Sequence, residues 1–277
     1  MIYLIAASCL WSLSFGLISE LLKDSNPFAV SLLRLGLSAL VFLPFLIRKA
    51  HFNWKLWPVG LIQFGIMYCL YISSYHYLGA AEIAVLTLTT PVFVVLLDGF
   101  FERRINGYHW LAALLAIAAA YWVKRGNPLD SAWQGILLVQ AANFCFALGQ
   151  TLYKRIQAQA KSMVEGDMAW LFLSACLAPL AFLIWRAELG TVTQFSGRQW
   201  LALLYLGTIP SGLAFFLWNK GVTQVALPTV GILNNLKVPL GVLAAGLIFH
   251  QPVHWLSLIP AFVLLSMALF LTEWTKK

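Results

Sequence analysis

Charge is what this sequence has least of. Of its 277 residues only 10% are Asp, Glu, Lys or Arg, against about 25% in a typical soluble chain. That shortage excludes a soluble domain of any consequence. Acids are scarcer still, at 10 against 18 Lys and Arg, which leaves a formal charge of +8. The excess is scattered between apolar runs rather than gathered into one basic face, so a nucleic-acid groove is excluded and loop charges of a membrane protein are indicated. There are four cysteines, Cys9, Cys69, Cys145 and Cys176. Each lies inside an apolar run, so buried free thiols are expected and a disulfide framework is excluded. Their spacing is not that of a metal site. The chain has no His-Glu-x-x-His, no Gly-x-Ser-x-Gly and no Gly-x-Gly-x-x-Gly, and no phosphate-binding loop. These absences speak against an intramembrane enzyme and against direct use of ATP, and no cofactor is expected. No basic segment precedes the first apolar run, so Met1–Ser19 reads as a retained helix and not a removed signal peptide.

What is present is hydrophobic length. The sequence is 61% hydrophobic, with a mean hydropathy of +0.82. A helix rises about 1.5 Å per residue, so about 20 apolar residues cross a bilayer core. Ten such spans are predicted, at 2–19, 27–47, 56–78, 81–101, 108–123, 132–153, 167–186, 199–219, 227–249 and 253–273. The expected fold class is an all-α membrane protein, its partner the lipid bilayer. Twelve Trp suit belts at the two interfaces. With the N-terminus inside, the inner loops hold Arg48, Lys49, Lys55, Arg103, Arg104, Lys154, Arg155, Lys161, Lys220, Lys276 and Lys277. The outer loops hold only Lys23, Lys124, Arg125, Arg186 and Arg198. The positive-inside rule therefore predicts two cytoplasmic termini.

The ninth span carries the strongest functional signal. Leu227–Phe249 would cross the membrane, yet its middle holds Asn234, Asn235, Lys237 and Pro239. A lysine at mid-depth costs about 2.5–3.5 kcal/mol to insert. The asparagines need partners, and Pro239 frees a carbonyl one turn earlier. Gly231, Asn234, Lys237 or Val238, Gly241 and Ala245 share a small, polar face, which points to the bundle interior. A structural lysine held by carbonyls or a buried acid is one reading; a substrate or coupling-ion site is the other. With no acid at its depth, Lys237 needs an anion or loses its proton. The first binds a substrate carboxylate; the second couples transport to protons.

Polar stripes recur elsewhere. The sixth span places Gln140, Asn143, Ala147, Gln150 and Lys154 on one face; the eighth places Thr208, Ser211, Phe215 and Asn219. The fourth has Thr87, Pro91, Val94 and Asp98, the third Gln63, Met67, Tyr71 and Ser74, and the first Ser8, Ser12, Phe15 and Ser19. Each alone could be helix–helix hydrogen bonding; together they predict one central cavity. The expected substrate-binding set is Lys237, Asn234, Asn143, Gln150, Tyr71, Thr87, Ser12, Trp11, Ser211 and Trp218, with no catalytic residue and no metal ligand. Ala112, Ala116 and Ala120 form a packing seam on the fifth span. Arg34, about two turns into the second span, has three readings: snorkelling, pairing with Glu20 or Asp24, or reaching the cavity mouth; the structural roles are favoured.

The halves also match each other. Phe146-Ala-Leu-Gly149 stands where Trp11-Ser-Leu-Ser14 stands in the first half. Tyr77 to Pro91 corresponds to Gln224 to Pro239. Five spans per half would invert the second copy, and inverted repeats put a site at mid-membrane. On these segments, with Trp110-Leu-Ala-Ala113 and Leu201 to Gly207, the chain resembles the EamA branch of the drug/metabolite transporter superfamily. The resemblance implies two repeats of five helices, 1–125 and 132–277, in a bacterial inner membrane. It also implies a secondary transporter of small organic solutes, expected here to export amino acids or related carboxylates, as a monomer or weak dimer. Nucleotide-sugar or phosphorylated-sugar antiport is the alternative within the superfamily, a channel or enzyme outside it. Many relatives carry Glu-Pro where Lys237-Val238 stands here, which argues against cationic substrates.

Overall fold

The computed structural model describes residues 1–49, 53–103, 106–124, 133–160, 164–241 and 258–274. Among them there is helix and turn but no strand. In chain order the helices are α1 (Ile2–Leu21), α2 (Pro27–Lys49), α3 (Leu56–Ser74), α4 (Glu82–Glu102) and α5 (Gly107–Lys124). There follow α6 (Trp133–Ala160), α7 (Val164–Trp185), α8 (Gly197–Val222), α9 (Leu227–Asn235) and α10 (Leu258–Trp274). Seven of the described helices are long and apolar enough to cross a membrane: α1 to α4 and α6 to α8. Residues 242–249 of the ninth predicted span, with Ala245, lie outside the described residues, as do 253–257 of the tenth, the His250–Pro252 connection and the loop charges Arg104, Arg125, Lys161, Lys276 and Lys277.

An apolar bundle is held by close approach and by polar contacts between helices, since lipid offers no hydrophobic drive to associate. Both are visible. Gly149 of α6 lies so near α3 that a Cβ there would come within 2.2 Å of the Gln63 Cβ. Gly60 of α3 meets α7 in the same way, 2.2 Å from the Leu171 carbonyl oxygen. Ala112 and Ala116 of the predicted seam are fully buried with Ile232 and Ala268, where α5 packs on α10; the side chain of Ala120 lies outside the described residues. Cys69 is buried, but Cys9 is exposed on the outer face of the bundle, contrary to the expectation of four buried thiols.

The two ends of the bundle are marked by polar contacts. At one, Asn26 Nδ2 donates to Glu188 Oε2 (2.7 Å) and Gln199 Nε2 to the Leu21 carbonyl (3.0 Å). At the other, Lys220 sits 3.9 Å from Glu165 and 5.4 Å from the Tyr3 ring, and Arg155 pairs with Glu102.

Six of the described helices depart from regular α geometry, α1 at Leu13 and α7 at Cys176 among them, and the other four departures position the site. α3 widens into a π-turn at Leu61–Ile66 and α8 into another at Gly207–Leu213, which contains Pro210. α4 tightens to a 3₁₀ turn at Thr87–Thr89 before Pro91. α9 breaks at Leu236, one turn ahead of Pro239 as the proline demands, and helical geometry resumes from Lys237 to Gly241. Irregular backbone at membrane depth is tolerated only where protein or a cavity takes up the freed groups.

Candidate functional site

The breaks in α4 and α9 lie against each other. Gly231 permits the approach: a Cβ there would stand 3.0 Å from the Pro91 Cα. Leu88 and Val238 are buried together at the crossing. Carbonyls around the two breaks accept from side chains of neighbouring helices. Asn235 Nδ2 donates to the Leu88 carbonyl (3.0 Å), Ser8 Oγ to the Leu233 carbonyl (2.9 Å), and Asn143 Nδ2 to the Leu86 carbonyl (2.8 Å). These bonds tie α1, α4, α6 and α9 together at one level.

Beside this crossing is a cavity of about 590 Å³, its open mouth included. α1 lines it with Trp11, Ser14, Phe15 and Ile18, which run toward the end marked by Asn26 and Glu188. In the opposite half of α1, Leu4, Ala7 and Ser8 are fully buried in protein. Trp11, Phe146 and Phe215 close the cavity on that side, with Trp218 beneath: ring centroids lie 4.8 Å apart for Trp11–Phe215, 4.9 Å for Trp11–Trp218 and 6.1 Å for Trp11–Phe146. Trp11 Nε1 donates to the Pro210 carbonyl (2.8 Å), a group the π-turn of α8 turns outward.

Among the described residues two cations reach the cavity and no Asp or Glu lines it. Lys237 Nζ donates to Asn234 Oδ1 (3.1 Å) and lies 5.7 Å from the Trp11 ring centroid and 6.0 Å from that of Phe15. Arg34 is 2% exposed. Its Nε donates to Ser211 Oγ (3.2 Å) and its Nη2 to Tyr68 OH (3.1 Å). Tyr68 OH and Ser211 Oγ are themselves bonded at 2.8 Å, and the guanidinium lies 4.6 Å from the Tyr68 ring centroid. Among the described residues neither cation forms an ion pair. Three buried polar atoms of the lining have no hydrogen-bond partner: Arg34 Nη1, Asn234 Nδ2 and Ser14 Oγ. A buried donor left unpaired costs about 1–3 kcal/mol. With Lys237 Nζ, the cavity offers donors and positive charge, and calls for a ligand of acceptors and negative charge.

Of the ten predicted site residues, the structure brings Trp11, Tyr71, Thr87, Asn143, Asn234 and Lys237 to the cavity wall. It does not bring the other four. Gln150 and Trp218 are fully buried beneath the aromatic layer, where Trp218 Nε1 donates to Gln150 Oε1 (2.9 Å). Ser211 is buried behind Arg34 and reaches the cavity only through it. Ser12 turns its hydroxyl onto the Cys9 carbonyl (2.7 Å). Arg34 is the lining residue for which sequence reasoning favoured a structural role over the cavity mouth. It neither snorkels nor pairs with Glu20 or Asp24, because Tyr68 and Ser211 draw its head inward. The available signal was the absence of any acid within the third and eighth stripes, opposite a basic residue well inside a span.

Among the described residues the chain is a bundle of apolar helices, broken where they meet at a polar cavity, as in membrane proteins that bind small molecules at mid-depth. Sequence comparison names the particular family: the model described as EamA-like transporter family matches residues 1–125 and 133–274, and the chain belongs to that family. It is 39% identical to a biotin transporter of Salmonella typhimurium over 94% of this chain and 88% of the relative. It is 36% identical to a biotin transporter of Escherichia coli over 100% and 93%, and 26% identical to a riboflavin transporter of Vibrio cholerae over 97% and 93%. A solved crystal structure aligns with a TM-score of 0.78 at 19% identity, covering 98% of this chain and 97% of that one, which establishes the likeness of fold. The protein is an integral membrane transporter and not an enzyme.

Proposed function

We propose that this chain is a secondary transporter of a small carboxylate-bearing metabolite, and that the metabolite is biotin or a close analogue. The observation that carries the reading is a cavity with two cations, unpaired buried donors and, among the described residues, no acid. Biotin has a carboxylate at one end and, at the other, a ureido ring whose single carbonyl oxygen is a strong acceptor flanked by two N–H groups, joined by an apolar chain that suits the aromatic walls. The relatives named biotin transporters, aligned along most of this chain, support the choice over the amino acids expected from sequence alone. Lys237 takes the carboxylate and Asn234 fixes its orientation, with Trp11, Tyr71, Thr87 and Asn143 completing the wall. An ammonium among hydrocarbon is strongly favoured by a counter-charge, so the substrate's anion satisfies a site the protein leaves open.

Movement follows from alternating access of two inverted five-helix halves, 1–125 and 132–277, rocking about this fixed site. The charge asymmetry of the loops supports cytoplasmic termini, and the bacterial relatives support the inner membrane. Loss of a proton from Lys237 when the cavity is empty would couple the cycle to protons.

Labelled biotin flux into proteoliposomes, normalised to folded protein, tests the reading. Lys237→Met keeps the side-chain length and removes the charge. It should reduce flux at least about 100-fold, the scale of a buried charge–charge contact of 3 kcal/mol, with the melting temperature held or raised. A purely structural lysine gives the opposite pattern: lower melting temperature and unchanged flux per folded molecule.

A further inference from the structure

We infer that Arg34 is a second binding residue, one that receives the end of the substrate opposite its carboxylate and selects for a carbonyl oxygen there. The inference rests on the reading of Lys237 as the carboxylate partner. The guanidinium has five N–H groups in a fixed fork. One edge is occupied, with Nε on Ser211 and Nη2 on Tyr68, and the Tyr68–Ser211 bond locks that pair of acceptors together. The Tyr68 ring adds a face for the cation. Arg34 is thereby held in one orientation, and Nη1 is left buried without a partner on a cavity-lining side chain. A fixed donor with no acceptor is a recognition element: it rewards a ligand oxygen and penalises a ligand donor, because either the ligand's N–H or the guanidinium then goes unpaired.

The two cations stand on different walls. Lys237 belongs to α9 beside Trp11 and Phe15 of α1, and Arg34 belongs to α2 against α3 and α8. A ligand that satisfies both is two-headed, with an anion at Lys237 and a neutral acceptor, an amide or ureido carbonyl, at Arg34. A plain fatty acid or a simple amino acid satisfies only the first.

Competition against labelled biotin in proteoliposomes reads the two ends separately. Biotin amide changes the carboxylate alone. Iminobiotin, protonated at neutral pH, changes the ureido oxygen into a cationic donor. The wild-type protein should reject each by at least about tenfold, the loss of one charge-assisted hydrogen bond. Arg34→Met should bring iminobiotin to within about threefold of biotin while the preference for acid over amide persists. Lys237→Met should do the reverse. These ratios are independent of expression level, and a merely structural arginine would not move them. Arg34→Lys keeps the charge but breaks the fork, and it should also relax the iminobiotin ratio, so the idea remains testable if the methionine variant folds poorly. The inference is overturned if Arg34→Met leaves both ratios intact, or if it removes the acid preference while Lys237→Met preserves it. Failure of the wild-type protein to take biotin at all would overturn the biotin reading itself, and the inference with it.

Discussion

Trp218→Phe is the substitution that separates the cavity from its floor. Trp218 is fully buried and its indole Nε1 donates to Gln150 Oε1 at 2.9 Å. The Gln150 Nε2 already lacks a partner. Phenylalanine keeps most of the ring contact with Trp11 and Phe146 but strands the second polar atom of that amide. An interhelical hydrogen bond between membrane helices is worth about 0.6–1.7 kcal/mol, and an orphaned buried acceptor adds to this, so a loss of about 2 kcal/mol is expected. At about 2–4 °C per kcal/mol for a chain of this size class, the melting temperature in detergent should fall by about 4–8 °C. Gln150→Leu removes the other partner, and the double variant should recover about half of the loss, because two apolar groups leave nothing unsatisfied. Affinity for substrate should change little, since neither side chain lines the cavity. Differential scanning fluorimetry and a competition isotherm on the same preparation check both halves. An unchanged melting temperature with a large loss of affinity would refute the reasoning and return Trp218 to the binding wall.

Three further outcomes follow from the same geometry. In a background lacking Cys9, Cys69, Cys145 and Cys176, cysteines at Thr87 and Asn143 should react with a water-borne thiol reagent, and cysteines at Gln63 and Asn219, joined by a 3.1 Å hydrogen bond below the aromatic layer, should not; equal labelling would remove the closed floor. Gly149→Leu should abolish folding, as the Cβ alone would overlap Gln63, and a melting temperature within about 3 °C of wild type would contradict the close approach of α6 and α3. Ser211→Ala releases one tether of Arg34 and should weaken biotin competition several-fold with little change in stability; unchanged affinity would mean that the tether does not orient the guanidinium.

Much of the helical architecture was legible in the sequence because hydrophobic length is a direct physical demand of the bilayer. Each predicted span overlaps a described helix, although α6 continues to Ala160 and α3 ends at Ser74. A carbonyl freed near the asparagines was legible too, since Pro239 cannot donate, but the break of the span at Leu236 was not. Nor was depth. A stripe at three- and four-residue spacing tells which face turns inward, not whether that face meets water or another side chain. Gln150 and Asn143 share a stripe, yet one pairs with an indole under the aromatic layer and the other borders the cavity. The choice among the readings of Arg34 was not legible for a related reason. Its inward pull comes from Tyr68 and Ser211 on two other helices, and nothing local to the second span reports them. The π-turns of α3 and α8 were likewise silent, because one extra residue per turn leaves composition unchanged.

That extra residue in α8 has an angular consequence. Each residue of a helix advances the azimuth by about 100°. A turn closed over five residues instead of four therefore re-aims everything downstream of Leu213 by roughly that angle relative to an unbroken helix. Before the turn, α8 buries Ala202, Leu203 and Leu206; after it, Phe215, Trp218 and Asn219. Regularising the turn with every residue kept would swing the second group sideways and withdraw the floor beneath Trp11, whereas deleting one residue near Pro210 would remove the turn and keep the phase. The turn thus sets the phase of the helix as a splined shaft sets the phase of a gear, and the Trp11–Pro210 bond is the key that keeps it from slipping.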